Sequence, residues 1–424
     1  MKGNRRDFIK KTAIAGAGLA LAASPFGRTF AALASDKKVR LAVIGTGSRG
    51  RYLMELLLAQ KVNPNYELVA VCDNYGPSLN EAVALAKRYK INPKTYTDYS
   101  QLINQSPVDG VIIATPLHQH AHITIDCLNK GIHVLCEKAM ARTLDDTKAM
   151  YDAHINSGSI LLIGHQRLHS NQYINALERI HNGEIGVIGQ MKAYWHRNHN
   201  WRRDVPDNQP DLERKINWRL YKEYSAGLLT ELMSHQLQVA NWAMKKYPVS
   251  VMATGSIQYY KDGREVPDNM AAIFSYDDGT QFIYDSMTIN KAEGCEEHII
   301  GDYATMKLES NNILREDPIK PEPAPGIAQL INDIQNGLFK SAPIGGSSWA
   351  AETAVSYNGE EIYKGQDGDG TREEIVHFID YIQQKSSPEW MTKEGYYTSI
   401  WSLLTEKSIE SGERITCPDK YLIG

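Results

Sequence analysis

Apolar residues run almost unbroken through "VRLAVIG" (39–45), "YELVAVCD" (66–73), "VDGVIIAT" (108–115) and "IHVLCE" (132–137). Between them lie helically spaced stretches, "RGRYLMELLLAQ" (49–60), "SLNEAVALAKRYK" (78–90) and "HAHITIDCLNKG" (120–131). Strands this apolar, separated by helices, predict a parallel, doubly wound α/β sheet covered on both faces. From about "SILLIGHQR" (159–167) the pattern changes to alternation, in "GQMKAYWHRN" (189–198), "VSVMATGSIQYY" (249–260), "MAAIFSYDDGTQFIYDSM" (270–287) and "HIIGDYATMKLES" (298–310). Alternation predicts a sheet with one face buried, and "YDDGT" predicts a hairpin turn. "IKPEPAPG" (319–326) reads as a surface loop, and "REEIVHFIDYIQQ" (372–384) and "YYTSIWSLLTEKSIESG" (396–412) as closing helices. The chain therefore divides into a leader (1–34), a parallel α/β domain (38–163) and an α+β domain with a mostly antiparallel open sheet (164–424).

The first strand ends in "GTGSRG", residues Gly45, Thr46, Gly47, Ser48, Arg49 and Gly50, and the second ends at Asp73. A glycine-rich turn between strand and helix, with an acid at the next strand end, is the dinucleotide-binding fingerprint of a Rossmann domain. Gly45 permits the tight turn, Gly47 close approach of the pyrophosphate, and Gly50 helix–strand contact. Asp73 would bind ribose hydroxyls and repel a 2′-phosphate, which favours NAD over NADP. Ligands of such sheets lie beyond the strand carboxyl ends. That places Thr115, Pro116, His120, Glu137 and Lys138 at the nicotinamide end. Lys138 could act there in proton transfer, or could simply pair with Glu137 at a solvated strand end.

The motifs "VRLAVIGTGSRG", "ATPLHQHAH", "GIHVLCEKAM", "GHQR" and "GLLTELMSHQLQVANW" resemble the Gfo/Idh/MocA oxidoreductase family from about residue 38 onward. The resemblance implies that Lys138 is catalytic; this chain has Ala139 where the family has proline. It implies that His235 accepts the proton of an oxidised hydroxyl, with Glu231 orienting substrate or imidazole. Many relatives have Asp at the position of Glu231. Gln166, in "GHQR", joins the cofactor residues. "HQHAH" (His118, His120, His122) and the pair His165 and His169 have metal-like spacing, but cofactor-edge roles suffice, and no metal is expected. A homo-oligomer built on the exposed face of the second sheet is also implied.

"AYWHRNHNWRRDVPDN" and "INWRLYKEYSAG" combine flat rings with polar forks, as a sugar site requires. Trp195, His196, Arg197, Asn198, Trp218, Arg219 and Tyr221 are the substrate candidates, with Trp218 also counted beside the cofactor.

Composition narrows the partners. Net charge is −4, but the leader holds six bases (Lys2, Arg5, Arg6, Lys10, Lys11, Arg28) and one acid (Asp7), so the body stands near −9. That excludes a nucleic-acid footprint. The five cysteines, Cys72, Cys127, Cys136, Cys295 and Cys417, have no CxxC spacing and suggest no disulfide framework. The leader's twin arginines, short apolar run and "AALA" predict twin-arginine export to the periplasm without stable membrane insertion.

Three functions fit. One is an NAD-dependent oxidoreductase acting on a secondary hydroxyl of a sugar or glycoside, with C3 expected and a tightly bound, recycled cofactor. The second is a redox-neutral NAD-dependent glycosidase, since the chain end and leader also resemble the exported N-acetylgalactosaminidase branch. The third is a non-catalytic NAD-binding protein.

Overall fold

The computed structural model describes residues 38–59, 65–316, 359–365 and 368–423. The leader (1–34) and "IKPEPAPG" lie outside the described residues.

Six strands form the first sheet: β1 (Val39–Ile44), β2 (Tyr66–Cys72), β3 (Lys94–Tyr96), β4 (Gly110–Ile113), β5 (His133–Glu137) and β6 (Leu161–Gly164). Their order is β3-β2-β1-β4-β5-β6, all parallel. The helices between them include α1 (Ser48–Ala59), α2 (Gly76–Arg88), α3 (Tyr99–Gln105), α4 (His120–Asn129) and α5 (Leu144–Ser157). The strand order reverses between β1 and β4, and the crevice of such a sheet lies beyond the strand carboxyl ends at this point. β4 and β6 are wholly buried, as their apolar runs require. Sequence patterning does not mark two of these strands. β3 is a polar edge strand with a neighbour on one side only, so it has no apolar run. "LLIG", where the texture changes, is the sixth parallel strand, registered on β5 at Val134↔Leu161.

Past α6 (Asn171–His181), a mixed sheet of nine strands follows: β7 (Ile188–His196), β8 (Ser250–Ser256), β9 (Asn269–Ser275), β10 (Gln281–Met287), β11 (Cys295–Gly301), β12 (Ala304–Lys307), β13 (Asn312–Arg315), β14 (Glu360–Glu361) and β15 (Ile415–Thr416). Apart from β7 with β10, its pairings are antiparallel. The expected hairpin joins β9 to β10, closed by the Tyr276 amide on the Thr280 carbonyl at 2.9 Å. Beside this sheet lie a π turn (Leu229–Met233) and α7 (Ser234–Met244).

The sequence pattern places the two closing helices, α8 (Thr371–Gln384) and α9 (Glu389–Ser411), in the second domain, yet both return to the first sheet. A Cβ on Gly110 of β4 would stand 2.7 Å from Ile382 of α8, and one on Gly395 of α9 would stand 2.6 Å from Ile163 of β6. Helical spacing announces a buried face without naming what it meets. α9 also packs on β8, so it joins both sheets.

Glu394 of α9 is buried, and burial lifts its carboxyl to about 8 despite a hydrogen bond from Tyr247 that pulls it down. Its ordinary value is 4.5. Between these values the folded chain binds a proton that the unfolded chain does not, so stability falls as pH rises through that window. Glu394→Gln should therefore gain stability relative to the parent between pH 5 and 8, by on the order of 4 kcal/mol at most. Urea melts at the two pH values check this.

Candidate active site

The crevice opens into a cavity of about 910 Å³ bounded by both sheets' elements. Its first wall is the turn from β1 into α1. Gly45 has φ +89°, and a Cβ there would lie 2.6 Å from the Ala114 and Thr115 backbone. On Gly50 a Cβ would lie 1.9 Å from the Gly45 carbonyl oxygen, whereas Gly47 has nothing within 4 Å. Two glycines are thus required by packing, and the middle one leaves the backbone open to a ligand. Gly45, Gly47, Ser48 and Arg49 line the cavity; Gly50 and the buried Thr46 support it from behind. Asp73 also lines it, held by the amides of Thr46 (2.7 Å) and Tyr75 (2.8 Å). This set fits a dinucleotide.

Thr115, Pro116, Glu137, Lys138 and Gln166 continue the wall from the ends of β4, β5 and β6. His120 also reaches the cavity, with its ring between the carbonyls of Ala139 and Thr115, 2.9 Å from each. Burial lowers its pKa, opposed by those carbonyls. The Lys138–Ala139 peptide is cis.

Lys138 does not form the strand-end pair with Glu137, which instead accepts from Arg49 Nε at 2.6 Å. The Lys138 ammonium crosses to the second domain and donates to the carbonyls of Glu231 (2.8 Å) and Thr230 (3.1 Å). Both belong to the π turn. Sequence spacing predicts one α-helical face for Glu231 and His235; in fact Glu231 sits in the π turn and His235 in the first turn of α7. The wider turn shifts carbonyls away from the usual ladder partners, and here two of them face the lysine.

The charges at this end are coupled. Burial lowers the pKa of Lys138, with Glu231 and Glu137 pulling it back. Burial alone would raise Glu231, but Lys138 and Arg219 outweigh it, and the net shift is downward. Arg219 Nε donates to Glu231 at 2.8 Å. His235 is buried, with Nδ1 meeting no hydrogen-bond partner, and its ring lies 5.7 Å from Trp195 and 6.2 Å from His165. Burial, then the charges of Lys138 and Arg167, hold it well below its ordinary 6.5. The arrangement is a neutral imidazole beside a cation and a carboxylate: a proton acceptor next to a group that favours negative oxygen.

Of the substrate candidates, Trp195, Arg197, Trp218 and Arg219 line the cavity. The other three, His196, Asn198 and Tyr221, lie outside its lining. Neighbouring residues on β7 point to opposite faces, so His196 turns away from Trp195 and its Nε2 meets Asp285 of β10 at 2.5 Å. Asn198 is exposed and outside the cavity lining. The Tyr221 hydroxyl donates to Glu213 at 2.7 Å. Sequence reasoning missed Arg203, Arg214, Lys215 and Tyr224 of the connecting segment, all of which line the cavity; that stretch has no periodicity to place it.

The histidines of "HQHAH" take different partners: His118 meets the Tyr224 ring at 4.5 Å, His122 that of Tyr99 at 5.7 Å, and His120 the two carbonyls. Elsewhere among the described residues, Cys295, Glu297 and Glu309 bring ligand atoms within 4.8 Å of one another. Arg167 and Tyr173 already hold both of those carboxylates.

A doubly wound dinucleotide domain closed by an α+β domain that supplies lysine-facing carbonyls, a carboxylate and a histidine defines a class of two-domain oxidoreductase. Residues 39–165 match the family described as an oxidoreductase family with an NAD-binding Rossmann fold, and residues 173–307 match the Gfo/Idh/MocA C-terminal domain. Together they span more than half of the chain, which belongs to the Gfo/Idh/MocA family. Over 196 residues it is 32% identical to a glycosyl hydrolase family 109 protein of Stenotrophomonas maltophilia, covering 45% of this chain and 41% of the relative. Over 167 residues it is 28% identical to a levoglucosan dehydrogenase of Pseudarthrobacter phenanthrenivorans, covering 39% and 40%. The chain thus spans about two fifths of the length of these curated relatives. A solved levoglucosan dehydrogenase, in complex with NADH and levoglucosan, superposes with TM-score 0.67 at 18% identity, over 90% of this chain and all of that one. Among the described residues no helix is long and apolar enough to cross a membrane.

Proposed function

We propose that the protein is an NAD-dependent dehydrogenase that oxidises a secondary hydroxyl, with C3 expected, of a sugar or glycoside. The observation that carries this is the meeting of Lys138, Glu231 and His235, from two domains, in the cavity that begins at the glycine-rich turn. Gly45, Gly47, Ser48 and Asp73 would hold NAD, which would supply the hydride acceptor. His235, neutral because it is buried, accepts the hydroxyl proton. Lys138 holds the same oxygen as negative charge develops on it, and Glu231 keeps the lysine charged and positioned. Trp195 and Trp218 offer flat faces for a sugar ring. The Asp73 carboxylate disfavours a 2′-phosphate, which supports NAD over NADP.

The leader supports export. A cofactor carried out of the cytoplasm has no free pool to replace it, so the reading includes a tightly held, recycled cofactor. The family 109 relative favours a second reading, a redox-neutral glycosidase in which oxidation, elimination, hydration and reduction return the cofactor to its starting state.

Mass spectrometry of products from a panel of α- and β-glycosides, run with the co-purified cofactor in heavy water, separates the two. The expected product is two mass units lighter with the glycosidic bond intact. A cleaved sugar at unchanged oxidation level, carrying deuterium at C2, would establish the glycosidase instead.

A further inference from the structure

Between β7 and the π turn, residues 201–221 form a strap along the cavity wall, which Arg203, Arg214 and Lys215 line, and this strap is pinned. Arg202 is paired with Glu213 (2.5 Å) and Asp262 (3.2 Å). Backbone atoms of Arg203 exchange hydrogen bonds with the Asn217 side chain at 2.7 and 3.0 Å. From this anchored base two cations reach the first domain. Arg203 donates to the Ser48 hydroxyl at 2.8 Å, at the start of α1. Lys215 donates to the Asn74 carbonyl at 3.0 Å and lies 5.8 Å from the Tyr75 ring centre, in the loop after β2. These are the two segments along which a dinucleotide runs in this fold.

The charges that act on Arg203 are positive. The neighbours of Arg203 are the cations Arg219 and Arg51, each already paired with its own carboxylate, Glu231 at 2.8 Å and Glu81 at 2.7 Å. Its guanidinium hydrogen bond goes to a neutral hydroxyl, and among the described residues no carboxylate acts on Arg203. Its guanidinium is exposed to the cavity, beside a helix N-terminus that itself favours anions. A flat fork of donors suits a phosphate group.

We infer that the strap is a retention clasp for the cofactor, in which Arg203 binds the dinucleotide's diphosphate from the second domain and Lys215 fastens the strap to the loop after β2. This rests on the reading that the cavity holds NAD. Gripped from both domains, the cofactor leaves slowly and is suited to reuse within the protein.

Cofactor-stripped parent and Arg203→Ala proteins, both checked by circular dichroism, are titrated calorimetrically with NAD, ADP-ribose and adenosine. We expect Arg203→Ala to bind ADP-ribose and NAD roughly 10- to 100-fold more weakly, as loss of a charge-assisted hydrogen bond implies. Adenosine, which has no phosphate, should bind both proteins equally. ADP-ribose binding unchanged in the folded variant overturns the clasp and leaves the NAD reading standing. A parent that binds neither NAD nor ADP-ribose overturns both. Should Arg203→Ala not fold, Arg203→Gln is judged by the same ratio.

Discussion

Replacing Lys138 with methionine is expected to lower kcat by roughly 10³-fold while NAD stays bound. The size follows from the residue's place. Its ammonium is the cation held against the π turn that carries Glu231, four positions before the candidate base His235. Methionine keeps the length and removes the charge, so an oxygen losing its proton meets no compensating cation. A 10³-fold loss corresponds to about 4 kcal/mol of transition-state stabilisation. The fold should survive: Thr230 keeps a second donor to its carbonyl, the Ser234 hydroxyl at 2.8 Å. Cofactor affinity should change little, because the lysine's hydrogen bonds go to the second domain and not to the glycine-rich turn. Steady-state kinetics and NAD titration of the variant measure both quantities. Parent-like turnover would remove Lys138 from the chemistry.

Gly50→Ala should have an equally large effect through a different cause, costing about 3 kcal/mol of stability and roughly 100-fold in NAD affinity. The added methyl would stand 1.9 Å from the Gly45 carbonyl oxygen. That atom belongs to the backbone, on a residue at φ +89° whose own Cα faces the Ala114 backbone, so the turn cannot give way on one side without pressing on the other. α1 must move off β1, and its N-terminal amides move with it. Gly47→Ala is the control: nothing lies within 4 Å of its Cβ position, so stability should hold while NAD binding falls. Denaturant melts and calorimetry of the pair separate packing from ligand approach. Equal stability of Gly50→Ala and parent would show that the turn is softer than the geometry implies.

The dinucleotide half of the site was legible because its constraints are local. Glycines at fixed spacing, an apolar strand before them and Asp73 at the next strand end are all statements about neighbours in the chain. Lys138 could be placed at a strand end but not given its partners, since the carbonyls it meets are more than 90 positions away. The π turn escaped for another reason: "LLTELMSH" has helical spacing, and periodicity does not separate i+4 from i+5 hydrogen bonding. His196 could have been excluded, because alternation along β7 already sets it opposite Trp195. For Tyr221 and Asn198 only local composition speaks, and composition does not say where a side chain points. The strap, largely polar and without periodicity, carries no sequence signal of which wall it forms.

The return of α9 has a consequence for how this protein could be recombined. Thr392 hydrogen-bonds the Leu161 carbonyl at 2.6 Å, Gly395 packs on Ile163, and Arg142 forms a two-pronged pair with Glu406 at 2.7 and 2.8 Å. The nucleotide half is therefore not a detachable cassette. A chimera that borrows residues 38–163 alone leaves behind the helices that finish its sheet. A graft that respects the physics must carry residues 371–411 as well, and so cannot be made with a single crossover.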